Sequence, residues 1–310
     1  MIEKNKLLTV IILTFNEQLH IERCLKSLEG VNCNCIIIDS ESTDDTVRIA
    51  KENNAIVYIN KWPGNHAAQF QWALKNCKIE TPWLMKLDAD EYLTPELKKE
   101  INESLSELPP EITGIYLKRR MYFMSKWIKR GGYYPTWLLR IWRINAGEME
   151  DRIMDEHILL KYGNTVNFRA DIVDENLKGL AEWSSKHIRY AINEAIETLN
   201  SMQKENKNKS VRASLFGTQE QRKRFLKEIY IKFPLFLRPL TYFFWRYIIK
   251  LGFLDGKPGL IWHFLQGFWY RFLIDSIVYD LTSNTDVENI EKLKKSNREI
   301  SIEIIIFKLM

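Results

Sequence analysis

Leu87-Asp88-Ala89-Asp90-Glu91 closes an apolar stretch that begins at Trp83. Two carboxylates at i and i+2, at the end of a buried strand, leave the pleat on the same side. Oxygen ligands so placed suit a hard divalent cation. A cation there would neutralise the charge of a bound diphosphate. Most Asp-x-Asp triplets are solvated loop acids. This one gains weight from the alternating strands and helices before it, whose strand ends are also rich in acids.

Leu7–Leu13 is a continuous apolar run rich in β-branched residues, the pattern of a buried parallel strand. Thr14-Phe15-Asn16-Glu17 breaks it, and Leu19–Leu28 shows helical spacing. Cys35–Ile38 predicts a second strand, closed by Asp39-Ser40-Glu41-Ser42-Thr43-Asp44, with Thr43 or Asp44 capping a helix over Val47–Asn53. Ala55–Ile59 predicts a strand, Ala67–Lys75 a helix and Trp83–Leu87 a fourth strand. This order predicts an α/β fold with a mostly parallel sheet, whose ligand sits beyond the carboxyl ends of the strands. Three strand ends carry polar clusters: Thr14–Glu17, Asp39–Asp44 and Asp88–Glu91. Neither a dinucleotide fingerprint nor a P-loop is present to explain that crevice.

The chain's 310 residues suffice for one large domain or a domain with an appendage. Its net charge of +5 does not by itself suggest nucleic acid. The charge is uneven, however: residues 201–260 hold 13 Lys/Arg against 4 Asp/Glu. Cys24, Cys33, Cys35 and Cys77 form no Cys-x-x-Cys pair and are read as reduced thiols. Neither a signal peptide nor a transmembrane helix is expected, since no apolar run is long enough.

After residue 110 the pattern changes. Gly114–Lys118, Leu138–Trp142 and Ile158–Leu160 read as strands of mixed direction, and Leu177–Leu199 as a helix. Residues 225–279 hold 17 of the 38 aromatic residues. Polar composition suggests disorder near 203–222 and 282–300.

The ordered set Thr14-Phe15-Asn16-Glu17, Asp39-Ser40-Glu41-Ser42-Thr43-Asp44 and Asp88-Ala89-Asp90-Glu91 resembles the family 2 glycosyltransferases, of GT-A fold. The likeness is specific over residues 7–100 and looser from 110 to 190. It is nearest to the bacterial branch that includes the lipopolysaccharide-core β-glucosyltransferases, to which Phe253-Leu254-Asp255-Gly256 and Gly259 also correspond. The resemblance implies a nucleotide-sugar donor, a divalent metal (Mg²⁺ or Mn²⁺) and inversion at the anomeric carbon. By that likeness Glu17 and Asp39 bind the nucleoside, with Thr14, Phe15, Ser42 and Gln69 around it. Asp88 approaches the ribose or the metal, and Asp90 binds the metal. A carboxylate of Asp151–His157 serves as base, Glu156 before Asp155.

Other residues have two readings. His187 is a candidate metal ligand or a helix histidine bonded to a carbonyl. His157 and His66 stand near the expected base and donor. Arg140 and Arg143 either contact a phosphate or an acidic acceptor or pair with the acids of Glu148–Asp151, the last being favoured. Residues 225–280 interleave aromatic and basic residues, the mixture of helices that lie at a membrane interface. The expected organisation is a catalytic domain over 1–200, its donor-binding half about 1–100 and its acceptor half about 110–200. An aromatic-basic helical appendage over 223–281 and a tail over 282–310 follow. The expected enzyme is a cytoplasmic hexosyltransferase, peripheral on the inner face of the cell membrane. It would use a UDP-linked donor and a lipid-linked or surface-glycan acceptor, with no nucleic acid partner. Asp39 at a strand end suits a base with an imide N–H, which favours uridine. A nucleotidyltransferase would need a triphosphate cradle that residues 14–20 do not supply, and a silent scaffold would have lost the carboxylates.

Overall fold

The computed structural model describes residues 6–150, 157–203, 214, 216–217 and 219–283. Asp155 and Glu156, most of the polar 203–222 stretch and nearly all of the tail lie outside the described residues. The chain forms two compact units, one reaching Leu177 and the other beginning at Lys178.

In the first unit β1 (Leu8–Thr14), α1 (Ile21–Leu28), β2 (Cys33–Asp39), α2 (Thr46–Glu52), β3 (Ile56–Ile59), α3 (His66–Asn76) and β4 (Trp83–Asp88) alternate as expected. The boundaries fall where local chemistry puts them. The Asn65 side chain accepts the Ala68 N–H and starts α3. Asp44 Oδ1 accepts the Thr46 N–H just before α2, whose N-cap position is Asp45 and not Thr43 or Asp44. The remaining elements are β5 (Glu91–Leu93), α4 (Pro95–Ser104), β6 (Ile112–Phe123), β7 (Lys126–Trp127), β8 (Thr136–Arg143), β9 (Gly147–Met149), β10 (Ile158–Leu160) and β11 (Asn164–Glu175).

The main sheet runs β3-β2-β1-β4-β8-β6-β11-β5, with β7 beside β6. Its first four strands are parallel. Beyond β4, β8 runs antiparallel to both β4 and β6, while β6 and β11 are parallel. This is the α/β architecture that the resemblance implies. Alternate residues of the parallel strands feed two cores. Val10, Ile12 and Ile37 pack with α1 residues such as Leu25, whereas Ile11, Ile36 and Ile38 pack with Phe70 of α3. Burial on both faces is why these strands read as unbroken apolar runs. Of the later strands, β11 was not foreseen, because its NTVNFRADIVDE sequence leaves Asn164, Thr165 and Asn167 exposed and breaks the alternation. Ile158–Leu160 belongs to a separate two-stranded ribbon with β9.

The second unit is helical: α5 (Gly179–Gln203), α6 (Gln219–Lys232), α7 (Leu237–Phe244), α8 (Gly256–Trp262) and α9 (Tyr270–Ser283), with π-helical stretches at Trp245–Ile249 and His263–Trp269. The change of unit falls at Leu177 and not near residue 200, because Ala191 and Ala195 of α5 pack against Tyr270, Ile274 and Val278 of α9. Among the described residues no helix is long and apolar enough to cross a membrane.

A buried ionic node ties these helices. Glu194 on α5 receives Arg271 at 2.9 Å, Lys227 at 3.0 Å and the Tyr270 hydroxyl at 2.8 Å. Burial alone would raise the Glu194 carboxyl. Arg271 and Lys227 overcome it and hold the group down at about 2. A carboxylate depressed in the folded state stabilises it above the unfolded value of about 4.3, and that stabilisation disappears as pH falls toward the folded value. Glu194→Gln is therefore expected to lower stability near neutrality by about 1–3 kcal/mol, through weakened charge-assisted hydrogen bonds to the partly exposed Arg271 and Lys227. The gap between wild type and variant, read as thermal midpoints, should narrow as pH falls from 5 toward 2. A gap independent of pH would show that the node contributes packing alone.

Candidate active site

The parallel register brings the three polar clusters to one sheet edge. Thr14 pairs with Asp39 across β1 and β2, and Leu13 pairs with Asp88 across β1 and β4. The loops after β1 and β2 are then laced together. The Asp39 Oδ2 accepts from the Thr14 hydroxyl at 2.8 Å and the Ser42 hydroxyl at 2.6 Å, while Oδ1 accepts the Ser42 N–H at 2.8 Å. The Asn16 N–H donates to Ser42 Oγ, and Asn16 Oδ1 accepts the Thr43 N–H, each at 2.8 Å. The Glu17 N–H donates to Thr46 Oγ1 at 2.7 Å. Asn16 and Glu41 both have left-handed backbones, with φ of 53° and 63°. Asn tolerates that region, but Glu does so only under outside constraint, and such residues gather at functional loops.

Glu17 is positioned by a second relay. His20 is fully buried, and its Nε2 accepts the Leu177 N–H at 2.8 Å. The ring proton therefore sits on Nδ1 and is donated to Glu17 Oε2 at 2.6 Å. Neither His20 nor Leu177 carried a sequence signal for this role.

The acid cluster at the end of β4 has two kinds of member. Asp88 and Asp90 are partly exposed, while Glu91 is buried. Arg140 of β8, itself buried, reaches Asp88 Oδ2 at 3.0 Å and Glu91 Oε1 at 2.5 Å with one nitrogen. The other Glu91 oxygen accepts the Asp88 N–H at 3.0 Å. Burial works against ionisation of Asp88, but Lys86 and Arg140 outweigh it and hold the carboxyl far below its ordinary range. Burial pushes Glu91 up against the pull of Arg140, and Asp88 and Asp174 push the same way. Asp174 of β11 is likewise raised by burial, to about 6, with Arg119 opposing and Asp90 and Asp88 adding to the rise.

Asp90 is aimed by its neighbours. Its Oδ2 accepts from Asn176 at 3.1 Å, and its backbone carbonyl accepts from Arg23 at 3.3 Å and the Glu175 N–H at 3.1 Å. Asp90 Oδ1 accepts no hydrogen bond from the described residues. That oxygen and the exposed carboxylate of Asp88 fit a divalent cation. Among the described residues no three acid, His or Cys side chains converge as a closed metal cage. An ion that takes one or two protein carboxylates and completes its shell with phosphate and water needs no such cage.

Several expectations change. Arg140 pairs with Asp88 and Glu91, not with the acids of Glu148–Asp151. Arg143 caps the carbonyls of Ile112, Leu108 and Pro109 and lies over the Trp83 ring. Gln69, expected at the donor, is fully buried, and its amide is spent on Ser40 Oγ, the Asn60 carbonyl and the Asn60 side chain. It therefore supports the loop after β2 and does not face a ligand. Asp39 is also buried and acts on the edge through Thr14 and Ser42. Phe15 is exposed beside them. His66 opens α3 and meets Trp62 edge to face, with ring centroids 4.9 Å apart. His187 lies in the helical unit, where its ring stacks on Trp183 at 3.5 Å and its Nδ1 donates to the Trp183 carbonyl at 2.8 Å. Burial lowers it to about 4, so the ring is neutral near pH 7. The segment holding Asp155 and Glu156 is outside the described residues. Its flanks are joined, since the Glu150 N–H donates to the His157 carbonyl at 2.8 Å.

The profile of glycosyl transferase family 2 matches residues 9–176, more than half of the chain, and the chain belongs to that family. An uncharacterized glycosyltransferase of Rickettsia typhi is 38% identical over 96 residues, covering 31% of this chain and 32% of that protein. The chain thus spans about a third of the length of this curated relative. A lipopolysaccharide core biosynthesis glycosyltransferase, LpsC of Rhizobium meliloti, is 28% identical over 83% of this chain and 89% of its own. Among solved structures, a mannosyltransferase of Pyrobaculum calidifontis in complex with GDP-Man and Mn²⁺ covers 91% of this chain and 89% of its own, with 14% identity and a TM-score of 0.48. That likeness is too distant to bear on ligands.

Loss of Arg140 should be costly. Arg140→Met strands the buried Glu91 carboxylate, and breaking one side of a buried pair costs about 3–5 kcal/mol. Glu91→Gln in the Arg140→Met background should recover part of that loss in urea unfolding. Additive losses in the double variant would mean that the two side chains do not act as a pair.

Proposed function

We infer that this family 2 member is an inverting, metal-dependent hexosyltransferase. Its donor would be a nucleotide diphosphate sugar, read as UDP-linked, and its acceptor a hydroxyl of a lipid-linked or surface glycan such as a lipopolysaccharide core. The observation that carries the reading is the meeting of the β1, β2 and β4 ends on one edge, where Asp88 and Asp90 stay partly exposed. The named function of the Rhizobium meliloti relative favours the acceptor class.

In an inverting transfer the acceptor oxygen attacks the anomeric carbon as the bond to the diphosphate breaks. The leaving diphosphate departs with the electron pair. Glu156, or Asp155 in its place, takes the hydroxyl proton. Asp90, with Asp88, would hold Mg²⁺ or Mn²⁺, which as a Lewis acid stabilises the negative charge on the departing diphosphate. Thr14, Phe15, Glu17 and Ser42 would form the nucleoside pocket. Buried Asp39 would act through the Thr14 and Ser42 hydroxyls, which donate to it and so present lone pairs that complement an imide N–H. That complement favours uridine over adenosine. An acceptor carried on lipid would place the enzyme on the inner face of the cell membrane.

Two measurements test the reading. Asp90→Ala, or chelator with the native enzyme, should abolish transfer from a labelled UDP-sugar while the melting curve stays unchanged. Glu156→Gln should slow transfer by about 10²–10⁴ with little change in donor affinity. If Asp155→Asn is the inactive variant instead, the two acids exchange roles. Full activity in excess chelator would overturn the metal requirement. Tighter binding of ADP than UDP in calorimetric titration would overturn the base assignment.

A further inference from the structure

The helix that begins at Leu237 is amphipathic and turned inside out. Its cations point inward. Arg238 is buried and pairs with Asp275 at 2.5 Å, and Arg246 donates to the Tyr242 hydroxyl. Its apolar residues point outward: Leu237, Leu240, Phe244, Trp245, Ile248 and Ile249 are all exposed, at intervals that put them on one stripe. The stripe runs into the following turn, where Leu251, Phe253 and Leu254 are 47%, 42% and 50% exposed. Large apolar side chains exposed in succession mark an interaction surface.

The turn that carries them is tightly built. Leu251 and Gly256 have left-handed backbones, with φ of 59° and 73°. A Cβ on Gly252 would collide with His263 Nε2, and one on Gly259 would stand 2.6 Å from Asp255 Cβ. His263 and Asp255 are themselves buried. The turn therefore keeps its polar groups inside and its apolar groups outside. This gives Gly252, Asp255, Gly256 and Gly259 a structural reason for their spacing.

No Asp or Glu occurs between residues 233 and 254, and the exposed Lys250 and Lys257 flank the apolar tip. We propose that the hairpin tip from Trp245 to Leu254 is a membrane-interface wedge that inserts shallowly into an anionic bilayer, with Lys250 and Lys257 on the headgroups. Apolar side chains ringed by lysine and lacking acids complement anionic lipid. A two-fold contact with a second copy would bring the same cations together with no acid to offset them. No described helix can span a bilayer, so the depth is that of the interface. The inference stands on the helical unit and does not depend on the glycosyl-transfer reading.

The test is flotation of the full chain with vesicles rich in phosphatidylglycerol and with vesicles of phosphatidylcholine alone. Wild type should float with the acidic vesicles. Binding should weaken in high salt without vanishing, since the Debye length shrinks to about 3 Å at 1 M while the apolar contribution persists. Phe253→Ser with Leu254→Ser should reduce the bound fraction about ten-fold or more. Lys250→Ala with Lys257→Ala should remove the preference for acidic lipid. All four side chains are exposed, so circular dichroism and melting should match wild type; if the serine pair misfolds, Ile248→Ser with Ile249→Ser carries the same test. Equal recovery of wild type with and without vesicles at low salt would overturn the proposal. So would serine variants that float like wild type. A dimer that these substitutions dissociate, without vesicle binding, would assign the face to a second copy, and vesicle binding gained only on removal of residues 284–310 would assign it to that segment.

Discussion

A single buried guanidinium joins the two halves of the sheet. Arg140 leaves β8, the first strand to run against the parallel set, and spans Asp88 and Glu91 at the end of β4. A charge buried there without partners would cost several kcal/mol. The junction between parallel and antiparallel halves is therefore tied to the presence of the acids. The same contact separates the acidic motif into parts: Glu91 is committed inside, and Asp88 and Asp90 remain at the surface. Aspartates held by a buried partner and by the Asn176 and Arg23 contacts are pre-oriented, so a cation there would cost them little rotamer freedom.

The β1–β2 side of the edge is held by hydrogen bonds to carboxylates. Asp39 gathers the Thr14 and Ser42 hydroxyls, Gln69 braces Ser40, and His20 orients Glu17. These loops hold two left-handed non-glycine residues, Asn16 and Glu41. Strain of that kind persists where the surroundings over-determine the backbone, and the lacing between the two loops does so here. The buried carboxylate at the centre is satisfied by three donors, which is the condition for burying one at all.

The helical unit keeps its ions inside. Glu194 with Arg271 and Lys227, and Arg238 with Asp275, occupy positions that an ordinary bundle fills with Leu or Ile. Buried pairs seldom stabilise more than apolar packing would, but they fix which face of a helix turns inward. That choice leaves the apolar stripe of α7 and the following turn outside.

The sequence by itself determined the parallel half of the sheet, because strands buried on both faces must be apolar throughout and their ends must be polar. It also determined that the acids of β4 and the clusters after β1 and β2 share an edge, since parallel strands of matched register end together. Sequence alone could not separate exposed from buried members of those clusters: Asp39, Gln69 and Glu91 are of the same residue types as ligand-facing groups. Arg140, His20, Arg23 and Asn176 act on groups 3 to 157 positions away, and no local pattern encodes such a partner. Neither did aromatic and basic composition say which side of α7 faces out. Only the tertiary structure decided these points, because burial and pairing depend on what packs opposite a side chain and not on its neighbours in sequence.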